Sequence, residues 1–443
     1  MFEKLKNFFV SLTEFNRSFW SANISELFER VAFYGMTSFL VIYLTEVRGI
    51  DESLAISVNG NFGLFVYGLP VLSGFIADWL GFRRAIMMAY GVLAVGYFLA
   101  GHLTTFWPIM GALFLVAFGA SLIKPCITGT VQKTSPAALG AVGFSIYYML
   151  VNIGGFLAPN TTGLVAETYG VENVFLASTV AVLLALVLIF FIFKEPEEAE
   201  VDKVAQSLGG FVRNFMTVIK NGRLMLLFLF VAGYWSMFFQ FFGALPLYLR
   251  TDLGIESERL IGLIISLDAL TIVIFQVIVG YLVRNIETGR AVLLGVIISS
   301  VGILAMGLHA AVWLVGIGIF FFALGEMTYA AHFYKYLGDM APKDQVGMYM
   351  GFAFLPIAIG SFVSGIIGGP VLELARETLQ QPQVAWFIFG GVGAVSALGI
   401  ALLVYVFPPR ETAEETAGPD TGSVDPETPQ AMEQPEGQEE DRF

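Results

Sequence analysis

Charge is scarce in this sequence: only 13% of its 443 residues are Asp, Glu, Lys or Arg. A soluble chain of that length needs far more charge to cover its surface, so lipid must be part of its solvent. Cysteine is nearly absent. Cys126 stands alone, which excludes an intramolecular disulfide, and inside an apolar run it reads as a small packing residue. Histidine is rare as well: His102, His309 and His332 are scattered and make no metal-ligand cluster. There is no nucleophile–base pair and no phosphate-cradling glycine loop, so neither an enzyme nor a cofactor is expected. Basic residues are outnumbered, 23 against 36 acids, for a formal charge of −13. Much of that excess is local, because the stretch from Arg410 to Arg442 holds eleven acids against those two arginines. The acidity argues against nucleic acid as a partner and says little about the body of the chain.

Apolar residues fill the rest, at 56% of the sequence with a mean hydropathy of +0.75. A membrane helix needs ~20 mostly apolar residues, and stretches of that kind recur about twelve times. They run over 19–45, 54–81, 84–103, 106–132, 139–167 and 171–193, then 223–250, 257–284, 290–310, 312–340, 345–373 and 382–407. The one long polar interruption lies between Lys194 and Arg223. The pattern predicts an all-α integral membrane protein with two pseudo-symmetric six-helix bundles, 1–193 and 223–407, joined by a cytoplasmic linker over 194–222. The segment 408–443 reads as a disordered acidic tail. Met1 to Arg17 lacks the apolar core and cleavage site of a signal peptide and reads as a short amphipathic helix on the membrane surface.

Seventeen of the 23 Lys and Arg fall on one set of loops and ends, while Arg48, Arg250, Arg259 and Arg376 fall on the other. Positive residues favour the cytoplasm, so both termini are expected there, in a multi-pass protein of the inner or plasma membrane. A monomer is expected.

Two basic residues remain inside spans, Arg30 and Lys124. Span one carries Glu26-Leu-Phe-Glu29-Arg30-Val-Ala-Phe33-Tyr34-Gly35-Met36, three ionisable groups on roughly one helix face. Each costs roughly 2.5–3.5 kcal/mol to insert, so the three need mutual compensation and a reason. Counting from the cytoplasmic Arg17 and Lys133 puts Glu26 and Lys124 at one depth, ~13 Å along their helices. That places an interhelical charge network within reach. Between spans two and three, Gly74-Phe-Ile-Ala77-Asp78-Trp-Leu-Gly81-Phe-Arg83-Arg84 resembles the signature loop of the major facilitator superfamily, with Gly74, Asp78, Gly81, Arg83 and Arg84 as its gating residues.

The span-one motif, Glu-x-x-Glu-Arg followed by aromatic-Tyr-Gly, resembles that of the proton-dependent oligopeptide transporter family. Gly119-Ala-Ser-Leu-Ile-Lys124-Pro125 is similar to its fourth-helix lysine motif. Gly143-Phe144-Ser-Ile-Tyr147-Tyr148-Met-Leu-Val-Asn152-Ile-Gly154 resembles its fifth-helix signature, Tyr234-Trp235-Ser-Met-Phe-Phe-Gln240 its seventh helix, and Gly325-Glu326 its tenth-helix acid. The resemblance implies that Glu26, Glu29, Arg30, Lys124 and Glu326 couple protons to gating. It also implies that Tyr34, Tyr67, Lys124, Tyr148, Asn152, Trp235, Gln240 and Glu326 contact the solute.

Three positions depart from the family. Thr37 stands where a second arginine is usual, Phe33 replaces a tyrosine, and Asp268 replaces an asparagine. Asp268 is itself notable, since a carboxylate amid Leu, Ile and Val reads as a proton or cation site. The expected function is proton-coupled secondary active transport of a small organic solute by alternating access, with di- and tripeptides or peptide-like compounds first. The alternative is a proton-driven exporter of amphipathic or cationic compounds. A non-transporting scaffold or sensor has no need to keep charges buried at matched depth.

Overall fold

The computed structural model describes residues 12–70, 73, 76, 79–136, 139–196, 216, 219–340, 349–350 and 352–406. The amphipathic reading of residues 1–11, most of the linker, the tail, and Gly74 and Asp78 of the loop lie outside them.

Twelve long helices carry the described chain: α1 Arg17–Ile42, α2 Glu52–Gly68, α3 Phe82–His102, α4 Phe106–Thr134, α5 Gly140–Tyr169, α6 Asn173–Ile192, α7 Gly222–Phe238, α8 Glu258–Val283, α9 Thr288–Met306, α10 Val312–Met340, α11 Leu355–Glu373 and α12 Val384–Tyr405. Among the described residues, eleven segments are long and apolar enough to cross a membrane. The exception is α2, described over 17 residues. Polar residues just before the helices start several of them by accepting an orphan backbone N–H. Asn16 accepts from Phe19 at 2.9 Å, Asp51 from Leu54 at 3.1 Å and Ser257 from Leu260 at 3.2 Å.

Proline explains two local features. Span seven reads as one helix over 223–250, yet it passes from α7 through a 3-10 turn at Phe239–Phe241 and a short helix at Ala244–Leu247 to a π turn at Tyr248–Asp252. Pro246 has no N–H to continue the ladder across that point. In α4 the helix runs through Pro125, which leaves the Ser121 carbonyl without its usual donor; the Ser73 hydroxyl supplies one at 2.7 Å.

Within the first half, α1 packs against α4, α5 and α6; in the second, α7 packs against α11 and α12 and α9 against α10. Two seams join the halves, α2 with α11 and α5 with α8. Small residues let them close: Ser57 donates to the Gly365 carbonyl at 2.9 Å and Ser361 to that of Gly60 at 3.1 Å. Across the other seam Asn160 donates to Ser266 at 2.9 Å.

One segment recurs. Tyr43-Leu-Thr-Glu46-Val-Arg48-Gly49-Ile50 after α1 matches Tyr248-Leu-Arg250-Thr-Asp252-Leu-Gly254-Ile255 after α7. Each begins with a π turn and ends on a glycine in the left-handed region, Gly49 at φ +64° and Gly254 at φ +65°. A side chain would be strained there, so the glycine fixes the turn into the following helix. We call the face carrying these turns the clasped face.

Candidate functional site

Spacing on α1 puts Glu26, Glu29 and Arg30 on one side, and the structure buries all three, at 1%, 0% and 2% exposure. The Arg30 Nε lies 3.2 Å from the Glu26 Oε1 and 2.5 Å from the Glu29 Oε2, with a second nitrogen also on Glu29. One cation therefore serves two carboxylates. Glu26 Oε2 and Glu29 Oε1 have no hydrogen-bond partner among the described residues. Tyr147 of α5, missed in the sequence reading although it stands in a quoted motif, reaches Glu26 with its hydroxyl at 3.5 Å.

Lys124 of α4 stands within electrostatic reach of Glu26, Glu29 and Arg30. Its ammonium nevertheless makes no ion pair among the described residues. It sits 4.5 Å from the centre of the Tyr67 ring and 5.4 Å from that of Phe354, just before α11. Cation–π contact of this kind holds a charge without neutralising it. The Arg30 guanidinium is likewise 5.2 Å from Phe33 and 5.8 Å from Tyr34.

In the second half, Asp268 of α8 and Glu326 of α10 lie within electrostatic reach of each other. Asp268 Oδ1 and Glu326 Oε2 are buried without a hydrogen-bond partner, and neither acid has an ion pair among the described residues. Tyr148 feels both acids and packs with Ile272, Met327 and their neighbours, joining α5 to α8 and α10. Asn152 donates to the Tyr148 carbonyl at 2.9 Å, one turn away. Trp235 donates to the Tyr329 hydroxyl at 3.3 Å. Gln240, read as a solute contact, is fully buried in the turn after α7 and donates to the Ser364 carbonyl of α11 at 3.2 Å. Its amide lies beside Gly243 and Gly368, where Ile56 of α2 also packs, and its Oε1 has no hydrogen-bond partner among the described residues. Tyr34 and Tyr67 line a small cavity with Phe239 and Phe242.

On the loop, Gly81 has φ +77° and leads into α3. Glu195, just past α6, accepts the Phe82 and Arg83 backbone N–H groups, each at 2.7 Å. An anion at a helix N-terminus is stabilised there. Arg83 donates to the Phe190 carbonyl at 2.8 Å, and Arg84 is exposed.

The clasped face holds a set of charges that the sequence showed only as isolated loop residues. Arg250 joins Glu46 of the first half to Glu258, at 2.7 Å and 2.5 Å. Arg376 joins Glu52 of the first half to Asp252, the latter at 2.6 Å. Glu167 of α5 accepts from the Ser257 hydroxyl at 2.8 Å and from the Arg259 N–H at 3.1 Å. The recurrence of the segment after α1 in that after α7 is the signal that could have paired the first of these.

The Major Facilitator Superfamily model matches residues 22–257 and 240–431. The dipeptide and tripeptide permease A of Serratia proteamaculans is 35% identical over 188 residues, 40% of this chain and 36% of the relative. The permease of that name from Escherichia coli K12 is 33% identical over 188 residues, 40% of this chain and 37% of its own length. Each alignment thus spans little more than a third of the relative. A POT family transporter solved with 5-aminolevulinic acid superposes with a TM-score of 0.72 at 18% identity, covering 89% of this chain and 96% of that one. A mutant of the peptide transporter POT, solved with alafosfalin, gives 0.71 at 20% identity over 88% and 94% of the two chains.

Proposed function

The chain belongs to the Major Facilitator Superfamily and is a multi-pass membrane protein, and from that premise we propose that it is a proton-coupled secondary active transporter of di- and tripeptides or peptide-like compounds. The observation that carries the reading is Arg30 held between Glu26 and Glu29. Two carboxylates share one cation out of contact with water, and removing one partner of such a set costs about 3–5 kcal/mol. A proton is the cheapest way to change that balance, because it neutralises one acid without moving the backbone. Protonation of either acid loosens Arg30, and alternating access couples the change to the seams between the halves. The similarity to dipeptide and tripeptide permeases supports the solute class.

The solute then lies between the halves. Lys124, unpaired over Tyr67, is the group for a carboxylate, and Asp268 with Glu326 are the groups for an amine. Both termini face the cytoplasm, and a monomer with its surrounding lipid suffices. The two buried acids without a cation also favour the second reading, export of amphipathic cations against protons. Uptake of labelled dipeptides into proteoliposomes tests both. Accumulation driven by an inward proton gradient and abolished by a protonophore supports the first. Expulsion of an organic cation under the same gradient, with no dipeptide uptake, replaces it by the second.

A further inference from the structure

On the outer surface of the first half, a groove of about 540 Å³ runs between the start of α3 and the end of α6. Met87 and Met88 of α3 and Val187, Phe190 and Phe191 of α6 make its apolar wall, and most of them are exposed. Arg84 is the charged side chain on that wall. It is exposed, and none of the ion pairs among the described residues involves it. Its neighbour Arg83 spends one nitrogen on the Phe190 carbonyl at 2.8 Å and holds its guanidinium 6.0 Å from the centre of the Phe190 ring. The Arg83 Nε is buried without a hydrogen-bond partner among the described residues. Glu195 is the acid nearby, and its carboxylate is occupied by the backbone N–H groups of Phe82 and Arg83, with Lys194 exposed next to it. The helix end is thus already filled, and the guanidiniums leave one end of an apolar groove positive.

Depth points the same way. Arg48 donates to the Gly101 carbonyl at 2.8 Å, so the end of α3 lies at the clasped face and its start, with Arg84, at the opposite one. Trp79, just before α3, is 83% exposed, and tryptophan settles where headgroups meet hydrocarbon. The wall reaches ~6 Å along each helix, from Arg84 to Met88 and from Val187 to Phe191. One leaflet's hydrocarbon is about 15 Å deep, so the groove takes the upper part of a chain whose headgroup stands at Arg84. Guanidinium groups bind phosphate by two-point contact, and basic pockets between membrane helices take anionic headgroups. We propose that this groove seats one anionic phospholipid, its phosphate on Arg84 beside Arg83 and one acyl chain along the apolar wall. With both termini cytoplasmic, that lipid belongs to the inner leaflet. The identity of the solute does not enter into it.

Native mass spectrometry of the purified, delipidated protein tests this, with phosphatidylglycerol and phosphatidylcholine of identical chains as probes. Wild type should bind the first about five- to thirtyfold more tightly, the worth of one to two cations at a charged headgroup. Arg84→Gln should cut that preference about fivefold, while Arg84→Lys keeps most of it. Val187→Trp fills the groove from an exposed position and should weaken both lipids alike. Equal binding of the two lipids by wild type overturns the proposal, as does a preference that Arg84→Gln leaves intact. Unchanged binding in Val187→Trp overturns the seat for the chain, and with it the site. Inorganic phosphate that displaces phosphatidylglycerol at equal concentration makes this a site for free anions and overturns it as well. The two variants act at the charged end and on the apolar wall, so one that misfolds leaves the other to decide.

Discussion

Arg250 grips Glu46 with two nitrogens, Nε 2.7 Å from Oε1 and Nη2 3.1 Å from Oε2, across 204 positions of sequence. Planar two-point pairing of this kind fixes geometry as well as charge. Because Glu46 and Arg250 lie in matching π turns of the two halves, the bond works as a latch between them. Arg376, in a third π turn, reaches Glu52 at the start of α2 with one nitrogen and takes Asp252 with two others.

Removing that latch should open the clasped face. Partly exposed pairs are worth about 0.2–1 kcal/mol each, and of the two that Arg250 makes only the one to Glu46 crosses between the halves. Arg250→Gln should therefore raise the open population by roughly one-and-a-half- to fivefold. Spin-label distances between the ends of α1 and α7 read the change directly; a distribution identical to wild type would show that the seams alone hold the face shut.

The α1 trio makes a sharper demand. Glu26→Gln, Glu29→Gln and Lys124→Ala should each abolish gradient-driven accumulation while damaging counterflow less, since exchange needs the loaded protein to rock but moves no net proton. Normal accumulation in all three variants would reduce the cluster to a structural ion pair.

Solute charge follows from the unpaired acids. With Asp268 and Glu326 opposite and Thr37 in place of a cation, amidated dipeptides should compete better than free acids. Each charge-assisted hydrogen bond is worth about 1.5–3 kcal/mol, or ten- to a hundredfold in affinity. Thr37→Arg combined with Asp268→Asn should shift preference back to free acids. If wild type already prefers free acids and the double variant does not move, these positions do not govern the solute.

A stability test isolates Glu195. Its carboxylate takes two N–H groups at the start of α3, and an N-terminal anion contributes about 0.3–1 kcal/mol when exposed. Glu195→Ala should lower Tm by roughly one to three degrees, with Glu195→Asp recovering part of the loss. An unchanged melting curve would mean the loop is held by Arg83 and the Phe190 carbonyl alone.

The span pattern was written in the sequence because helix periodicity and apolar length are local properties, read within a single stretch of chain. The boundaries of α4 and α10 coincide with the runs 106–132 and 312–340 to within two residues. The grouping of Glu26, Glu29 and Arg30 was equally legible, since residues three and four apart share a helix face whatever surrounds them. The break after α7 was less so: Pro246 was visible, but where the chain resumed depended on what α11 offered, and that turned Gln240 inward. Lys124 sat at the depth counted for it, yet depth fixes neither rotation nor partner, and tertiary packing laid its ammonium on Tyr67. The Glu46–Arg250 and Glu52–Arg376 pairs were least legible of all. Their partners lie 204 and 324 positions apart, and only the packing of α2 on α11 and α5 on α8 sets one helix in register with another.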